Sequence, residues 1–130
     1  ANQVLVVTTP EPAAMTDAYA MIKVLANHDF SGRINLVVNM AGSIAEGKRI
    51  ARQISEIAMR FIGVPVYEAG VICRSDKLID SVRSRTPVVL NYPKSPATSG
   101  LVAMAARLSR SRTVEYENES FFRKVVNFFL

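Results

Sequence analysis

The chain has no tryptophan, one cysteine and one histidine. Cys73 alone excludes an internal disulfide and any all-cysteine zinc site. His28 alone argues against a histidine-rich metal centre and against Ser-His-Asp hydrolysis. Long apolar runs are missing too. The longest uncharged stretches, residues 34–45 and 95–106, fall a third short of the roughly 18 residues that a membrane-spanning helix needs. No basic segment followed by an apolar run opens the sequence, so no signal peptide is expected and a reduced, cytoplasmic setting is the default. What is present is a globular composition. The 130 residues are 49% hydrophobic and 21% charged, which excludes a disordered chain and leaves room for one sizeable core.

Sixteen basic and eleven acidic residues leave a net charge of +5. Small basic clusters stand at Lys48, Arg49 and Arg52 and at Arg107, Arg110 and Arg112. Neither is interleaved with aromatics, so no single-strand groove is predicted and no direct nucleic-acid contact is expected.

Short apolar runs alternate with helical patterns. Val4-Leu5-Val6-Val7 and Ile34-Asn35-Leu36-Val37-Val38 are rich in β-branched residues; Val64-Pro65-Val66-Tyr67 and Pro87-Val88-Val89-Leu90 are weaker versions. Continuous runs of this length suit strands covered on both faces of a parallel sheet. Thr9 with Pro10 predicts a helix start, followed by Ala14, Ala18, Met21, Ile22 and Leu25 at helical spacing. A second helix is predicted over residues 45–62, with Ile50, Ile54, Ile57, Ala58 and Phe61 inward and Gly63 as its stop. Asp76 opens a shorter one to about Ser84, and Ser95-Pro96 opens another to about Leu108. The order implies right-handed βαβ crossovers, hence an α/β fold with a partial parallel sheet flanked by helices. Residues 1–108 are predicted to form the α/β body, 109–118 a polar linker and 119–130 an amphipathic helix.

Gly42-Ser43-Ile44-Ala45-Glu46-Gly47-Lys48-Arg49 matches the GxxxxGK pattern of a phosphate loop. The last position should carry a magnesium-binding hydroxyl and instead carries Arg49. Glu46 would also place a carboxylate where phosphate should sit. An ordinary loop and first helical turn are therefore expected.

The chain end looks the most specialised. On a helical wheel Phe121, Phe122, Val125, Val126, Phe128, Phe129 and Leu130 fill one arc of about half the circle, with Arg123, Lys124 and Asn127 opposite. Two readings fit: a helix docked onto its own domain, or an interfacial helix whose apolar face enters a bilayer while Arg123 and Lys124 meet anionic headgroups. Smaller candidates are Glu11 after the first strand, facing a dimer partner, a nucleotide or merely a helix N-terminus, and Cys73 beside Arg74, read as an inert thiol. Tyr19 and Met21 are read as packing.

Several of these segments resemble the C-terminal half of the MinD/ParA-type deviant Walker ATPases, and within them the FlhG/FleN flagellar-number regulators. The resemblance runs through Val4 to Leu25, with Thr8-Thr9-Pro10-Glu11-Pro12 and Thr16-Asp17-Ala18-Tyr19 its most specific parts. It continues in Leu36-Val37-Val38-Asn39-Met40, from Ile62-Gly63 to Val71, in Thr86-Pro87-Val88-Val89-Leu90 and in Pro93-Lys94-Ser95-Pro96-Ala97. It implies the fold of the C-terminal half of a P-loop NTPase, beginning after the phosphate loop and the switch regions. ATP and magnesium would then belong to a longer parent ATPase. The piece itself would hold no catalytic residue, no metal, and nucleotide weakly or not at all. Asn39 would hydrogen-bond adenine, with Val66, Tyr67 and Glu68 as a second base-contacting loop. That loop reads Val-Pro-Val-Tyr-Glu where the family has Ile-Pro-Tyr-Asp, so the proline is one place early and glutamate replaces aspartate. The resemblance also favours the membrane reading of residues 121–130. It implies a homodimer on the inner face of the cell membrane, regulating flagellar number or placement with a signal-recognition-type GTPase and motor-switch proteins. Sibling roles in chromosome partition or division siting stay open. So does a different class of function, a complete, non-catalytic module that self-associates through its sheet edge and tail.

Overall fold

The structure, a computed structural model, describes residues 2–110. The chain divides into two compact units, residues 1–73 and the remainder.

The first unit is a three-stranded parallel sheet with two helices. Its elements are β1 (Gln3–Thr8), α1 (Pro12–Asn27), β2 (Arg33–Ala41), α2 (Ile44–Phe61) and β3 (Tyr67–Cys73). The strands lie in the order β1-β2-β3. Both crossovers step the same way across the sheet, so right-handed connections place α1 and α2 on one face. Val6 of β1, Ile34, Leu36 and Val38 of β2, and Val71 of β3 meet Ala18 and Ile22 of α1 and Ile50, Ile54 and Ala58 of α2 in one buried cluster. Leu5 and Val7 alternate to the other face of β1 and are exposed. The three-strand sheet flanked by helices is the α/β class predicted from the sequence.

Local chemistry explains the boundaries. α1 begins two residues later than predicted, with Glu11 as N-cap and Pro12 in its first turn. A residue before proline is pushed out of the helical region. Thr9 precedes Pro10 and Glu11 precedes Pro12, so the second proline starts the helix. Met21, expected inward, is exposed, as are Ile57 and Phe61 of α2. The buried stripe of α2 is narrower than its apolar stripe. Gly63 closes α2 as predicted: it adopts φ +79°, and its N–H donates to the Ala58 carbonyl at 3.0 Å.

The third strand is displaced from its predicted place. Val64-Pro65-Val66 leads into the sheet, and β3 begins only at Tyr67. Pro65 lacks the N–H that a ladder requires, so pairing starts after it.

The second unit contains α3 (Asp76–Ser84), α4 (Val88–Asn91) and α5 (Pro96–Arg110). The fourth predicted strand is therefore a helical turn. Leu90 and Asn91 both donate to the Pro87 carbonyl at 3.0 Å. A four-residue apolar run carries no period that separates strand from buried helix, and Pro87 suits a helix start. Thr98 ties α5 to α4: its hydroxyl donates to the Tyr92 carbonyl at 2.7 Å, while Ser95 Oγ accepts from the Thr98 N–H at 3.2 Å. α5 runs to Arg110, two residues into the segment predicted as linker. The rest of that segment and the amphipathic stretch Phe121 to Leu130 lie outside the described residues. Among the described residues, no helix is long and apolar enough to cross a membrane.

Candidate functional site

Ligands of open α/β sheets bind beyond the carboxyl ends of the strands. In the first unit that edge carries Thr8 and Thr9, then Asn39 to Gly42, then Cys73. Thr8 is buried, and its hydroxyl donates to the Thr9 carbonyl at 3.2 Å. Cys73 is half-buried and packs partly on the core, which suits a structural thiol.

The end of β2 is irregular. Val38 pairs with Val71 and Ala41 with Cys73, so β2 holds one more residue than β3 over this step. Such a bulge bends a strand and re-aims its side chains. An opposite slip between Leu36 and Val37, with Ala69 as the extra residue of β3, restores the overall register. Within the carboxyl-end bulge, Met40 takes φ +56°. A side chain there costs about 1–3 kcal/mol, and such conformations gather at functional sites. Met40 is exposed at 44%. Its N–H donates to Asn39 Oδ1 at 2.9 Å.

The GxxxxGK segment follows directly and is closed to anions. Helix α2 starts at Ile44, so Gly47 and Lys48 are already helical rather than part of a loop. Ser43 Oγ accepts from the Glu46 N–H at 3.1 Å, and Glu46 Oε1 accepts from the Gly42 N–H at 3.1 Å. Ser43 thus caps the helix, while the Glu46 carboxylate takes the Gly42 N–H just before the cap and sets a negative charge where a phosphate would have to sit. Ser43→Ala is expected to lower stability by about 1 kcal/mol, read as a shifted denaturant midpoint with unchanged slope.

The residues predicted to contact a base do not converge. Asn39 is half-buried at the carboxyl edge. Val66 is buried in the core before β3 begins. Tyr67 pairs with Asn35 and Glu68 with Leu36, at the amino edge. Four residues of strand separate Asn35 from Asn39, about 13 Å at 3.3 Å per residue. The Tyr67 ring is covered by the Arg33 guanidinium, 3.7 Å from its centroid. The predicted grouping of Asn39 with Val66, Tyr67 and Glu68 is thus corrected: β3 starts where that loop was expected to end. A cavity of about 380 Å³ also lies at the amino edge, lined by Phe30, Arg33, Ile34, Val64, Pro65 and Tyr67. It is away from the ligand side of such sheets, so the carboxyl edge remains the candidate site. Residues that sequence reasoning passed over are Met40, whose backbone bend leaves no mark in composition, and Ile72, which brings β3 to the carboxyl edge.

Glu11 is exposed at the N-cap of α1, where its charge complements the helix dipole. Tyr19 is half-buried. His28 Nδ1 donates to the Val24 carbonyl at 2.9 Å, a helix-end contact. Among the described residues, no three His, Cys, Asp or Glu side chains are grouped to hold a metal.

Comparison with known proteins identifies relatives on two levels. No family model matches the chain. It is 32% identical over 108 residues to the antiactivator FleN of Pseudomonas aeruginosa, covering 83% of this chain and 39% of FleN. It is 35% identical over 83 residues to the flagellum site-determining protein YlxH of Helicobacter pylori, covering 63% of this chain and 28% of YlxH. An uncharacterised ATP-binding protein of Methanocaldococcus jannaschii matches 97% of the chain at 26% identity, over 46% of its own length. The chain therefore spans less than half the length of the curated relatives it matches. Among solved structures, MinD of Aquifex aeolicus in its MinC:MinD complex superposes with a TM-score of 0.64 at 24% identity, over 86% of this chain and 44% of that one. The cell division ATPase MinD of Pyrococcus furiosus superposes at 0.63 and 22% identity, over 85% of this chain and 44% of its own. By sequence the chain is homologous to the FleN/FlhG and YlxH flagellar proteins, and its fold is that of part of the MinD ATPases.

Proposed function

We propose that this chain is the base-binding portion of a MinD-like ATPase that regulates flagellar number or placement. The observation that carries the reading is the match to FleN across 83% of the chain. The carboxyl edge fits one part of a nucleotide and not another. Asn39 offers a side-chain amide to a purine edge. The GxxxxGK segment has its anion position filled by Glu46, and Arg49 stands where a magnesium-binding hydroxyl would be. Phosphates and magnesium are therefore assigned to other parts of the parent protein, where magnesium would neutralise charge on the transferred phosphoryl group. These 130 residues hold the base and stiffen its edge of the sheet; they carry no catalytic residue.

The second base contact belongs at the carboxyl end of β3, at Ile72 and Cys73, and no longer at residues 66–68. The parent dimerises, and each protomer contributes one amphipathic end, residues 119–130, to the inner face of the cell membrane. Partners of this assembly are a signal-recognition-type GTPase and motor-switch proteins. A self-contained scaffold would account for the exposed Leu5 and Val7 on β1 but not for the FleN match.

The reading is tested on the full product of the natural gene. ADP affinity of Asn39→Ala, measured by calorimetry, is expected to fall roughly fivefold to tenfold, the loss of one hydrogen bond. An unchanged Kd removes Asn39 from the site.

A further inference from the structure

We propose that the amino edge of the first unit's sheet holds a second ligand site, separate from the carboxyl edge, which takes a small organic monocarboxylate with a compact apolar body. The cavity there measures about 380 Å³ and is lined by Phe30, Arg33, Ile34, Val64, Pro65 and Tyr67. That volume falls in the range of small-molecule pockets, which pair apolar walls with a few fixed polar groups. Ile34 is buried, and Phe30 and Val64 pack against the core cluster, so these walls are anchored. The Phe30 N–H donates to the Leu25 carbonyl at 3.1 Å, which fixes the turn that carries the ring. Gly32 lets that ring lie close to the chain: a Cβ at position 32 would fall 2.5 Å from Phe30 Cζ and 2.6 Å from the Asn2 carbonyl oxygen.

The fixed polar group is Arg33. It is exposed, and an exposed arginine ordinarily keeps its rotamer freedom. Here two contacts hold it. Its guanidinium lies over the Tyr67 ring, 3.7 Å from the centroid, and its Nε donates to Asn35 Oδ1 at 3.3 Å. The acceptor is itself held. Asn35 is 4% exposed, and its Nδ2 donates to Gln3 Oε1 at 3.0 Å. Nε is thereby used, while the two Nη groups meet no carboxylate among the described residues. They form the fork that receives a carboxylate in two parallel hydrogen bonds. The site accommodates a single negative charge. α1 and α2 both end at this edge, and helix C-terminal carbonyls disfavour anions. Arg33 is the one cation in the cavity lining, so it offsets a monoanion and leaves a phosphate dianion in excess. Nucleotides take the other edge for the converse reason, since helix N-termini gather there.

The test titrates the full product of the natural gene with four probes: 3-phenylpropionate, its amide, phenyl phosphate, and an acetylated, amidated Glu-Phe dipeptide. NMR signals of the Arg33 Nε–H and the Tyr67 ring report binding. 3-Phenylpropionate is expected to saturate the site with a Kd on the order of 1 mM, and its amide to bind roughly tenfold more weakly. That ratio is read in wild type, so it needs no substitution and no variant that folds. Arg33→Lys keeps the charge but loses the flat fork, and is expected to weaken carboxylate binding roughly tenfold while leaving the amide unchanged. Equal binding of acid and amide by wild type overturns the proposal, as do shifts that never saturate and undiminished acid binding by Arg33→Lys. Tighter binding of phenyl phosphate overturns the carboxylate assignment. Tighter binding of the dipeptide overturns the small-molecule assignment in favour of an acidic protein segment.

Discussion

Gly47→Ala is expected to destabilise the first unit by about 1–3 kcal/mol, although alanine is the better helix former. Gly47 lies buried in the second turn of α2, against Val71 of β3. A Cβ at position 47 would collide with Val71 Cγ1 and lie 2.7 Å from Cγ2 and 3.0 Å from Cβ. Rotating Val71 about χ1 cannot clear all three atoms, and a β-branched side chain has few rotamers to choose from. Helix and strand must move apart, opening the contacts of Ile50, Ile54 and Val71 in the same cluster. The alanine gain of about 1 kcal/mol in propensity offsets only part of that loss. Gly47→Val should prevent folding. Adding Val71→Ala to Gly47→Ala is expected to restore part of the stability, because the two changes share one contact and are not additive. Urea unfolding of the four proteins checks this. Equal stability of Gly47→Ala and wild type would show that α2 does not pack this closely on β3.

Deletion of residues 119–130 from the full-length protein is expected to reduce co-sedimentation with anionic vesicles to background. Phe121, Phe122, Phe128, Phe129 and Leu130 share one arc with Val125 and Val126, and Arg123 and Lys124 stand opposite. A ten-residue helix is marginal in water, so the surface that buries its face also orders it. Each cation adds about 1 kcal/mol near an anionic leaflet and loses it with salt, so binding should weaken as ionic strength rises. One such segment gives weak attachment. Two such segments in the proposed dimer would multiply their affinities through effective concentration, so attachment is expected to strengthen under nucleotide conditions that favour dimerisation. Equal sedimentation with and without the segment would support the docked-helix reading instead.

The alternation of elements through the first unit was legible in the residues, because buried parallel strands and amphipathic helices leave different periods. Stops with a local cause were legible as well. Gly63 ends α2 through a φ that glycine alone adopts freely, and Asp76–Ser84 is a helix with the predicted bounds. Homology to the flagellar proteins FleN and YlxH was readable in the Thr-Thr-Pro-Glu-Pro turn and its neighbours.

The path of β3 was not legible, and with it went half of the expected base site. Val64-Pro65-Val66-Tyr67 and Ala69-Gly70-Val71-Ile72 are both short apolar runs, and each could pair with β2. Ladder hydrogen bonds and the close seat of Gly47 on Val71 choose the second, which moves Tyr67 and Glu68 to the amino edge. Pro87-Val88-Val89-Leu90 posed the same ambiguity, and its hydrogen bonds resolve it as a helical turn. Met40 lies furthest from any sequence signal. Nothing in its residue type asks for a left-handed backbone, yet Met40 adopts one within the bulge, where its N–H donates to Asn39 Oδ1. Composition and period are properties of single segments and survive in the linear chain. Register, bulges and amide orientation arise only when two segments compete for the same hydrogen bonds.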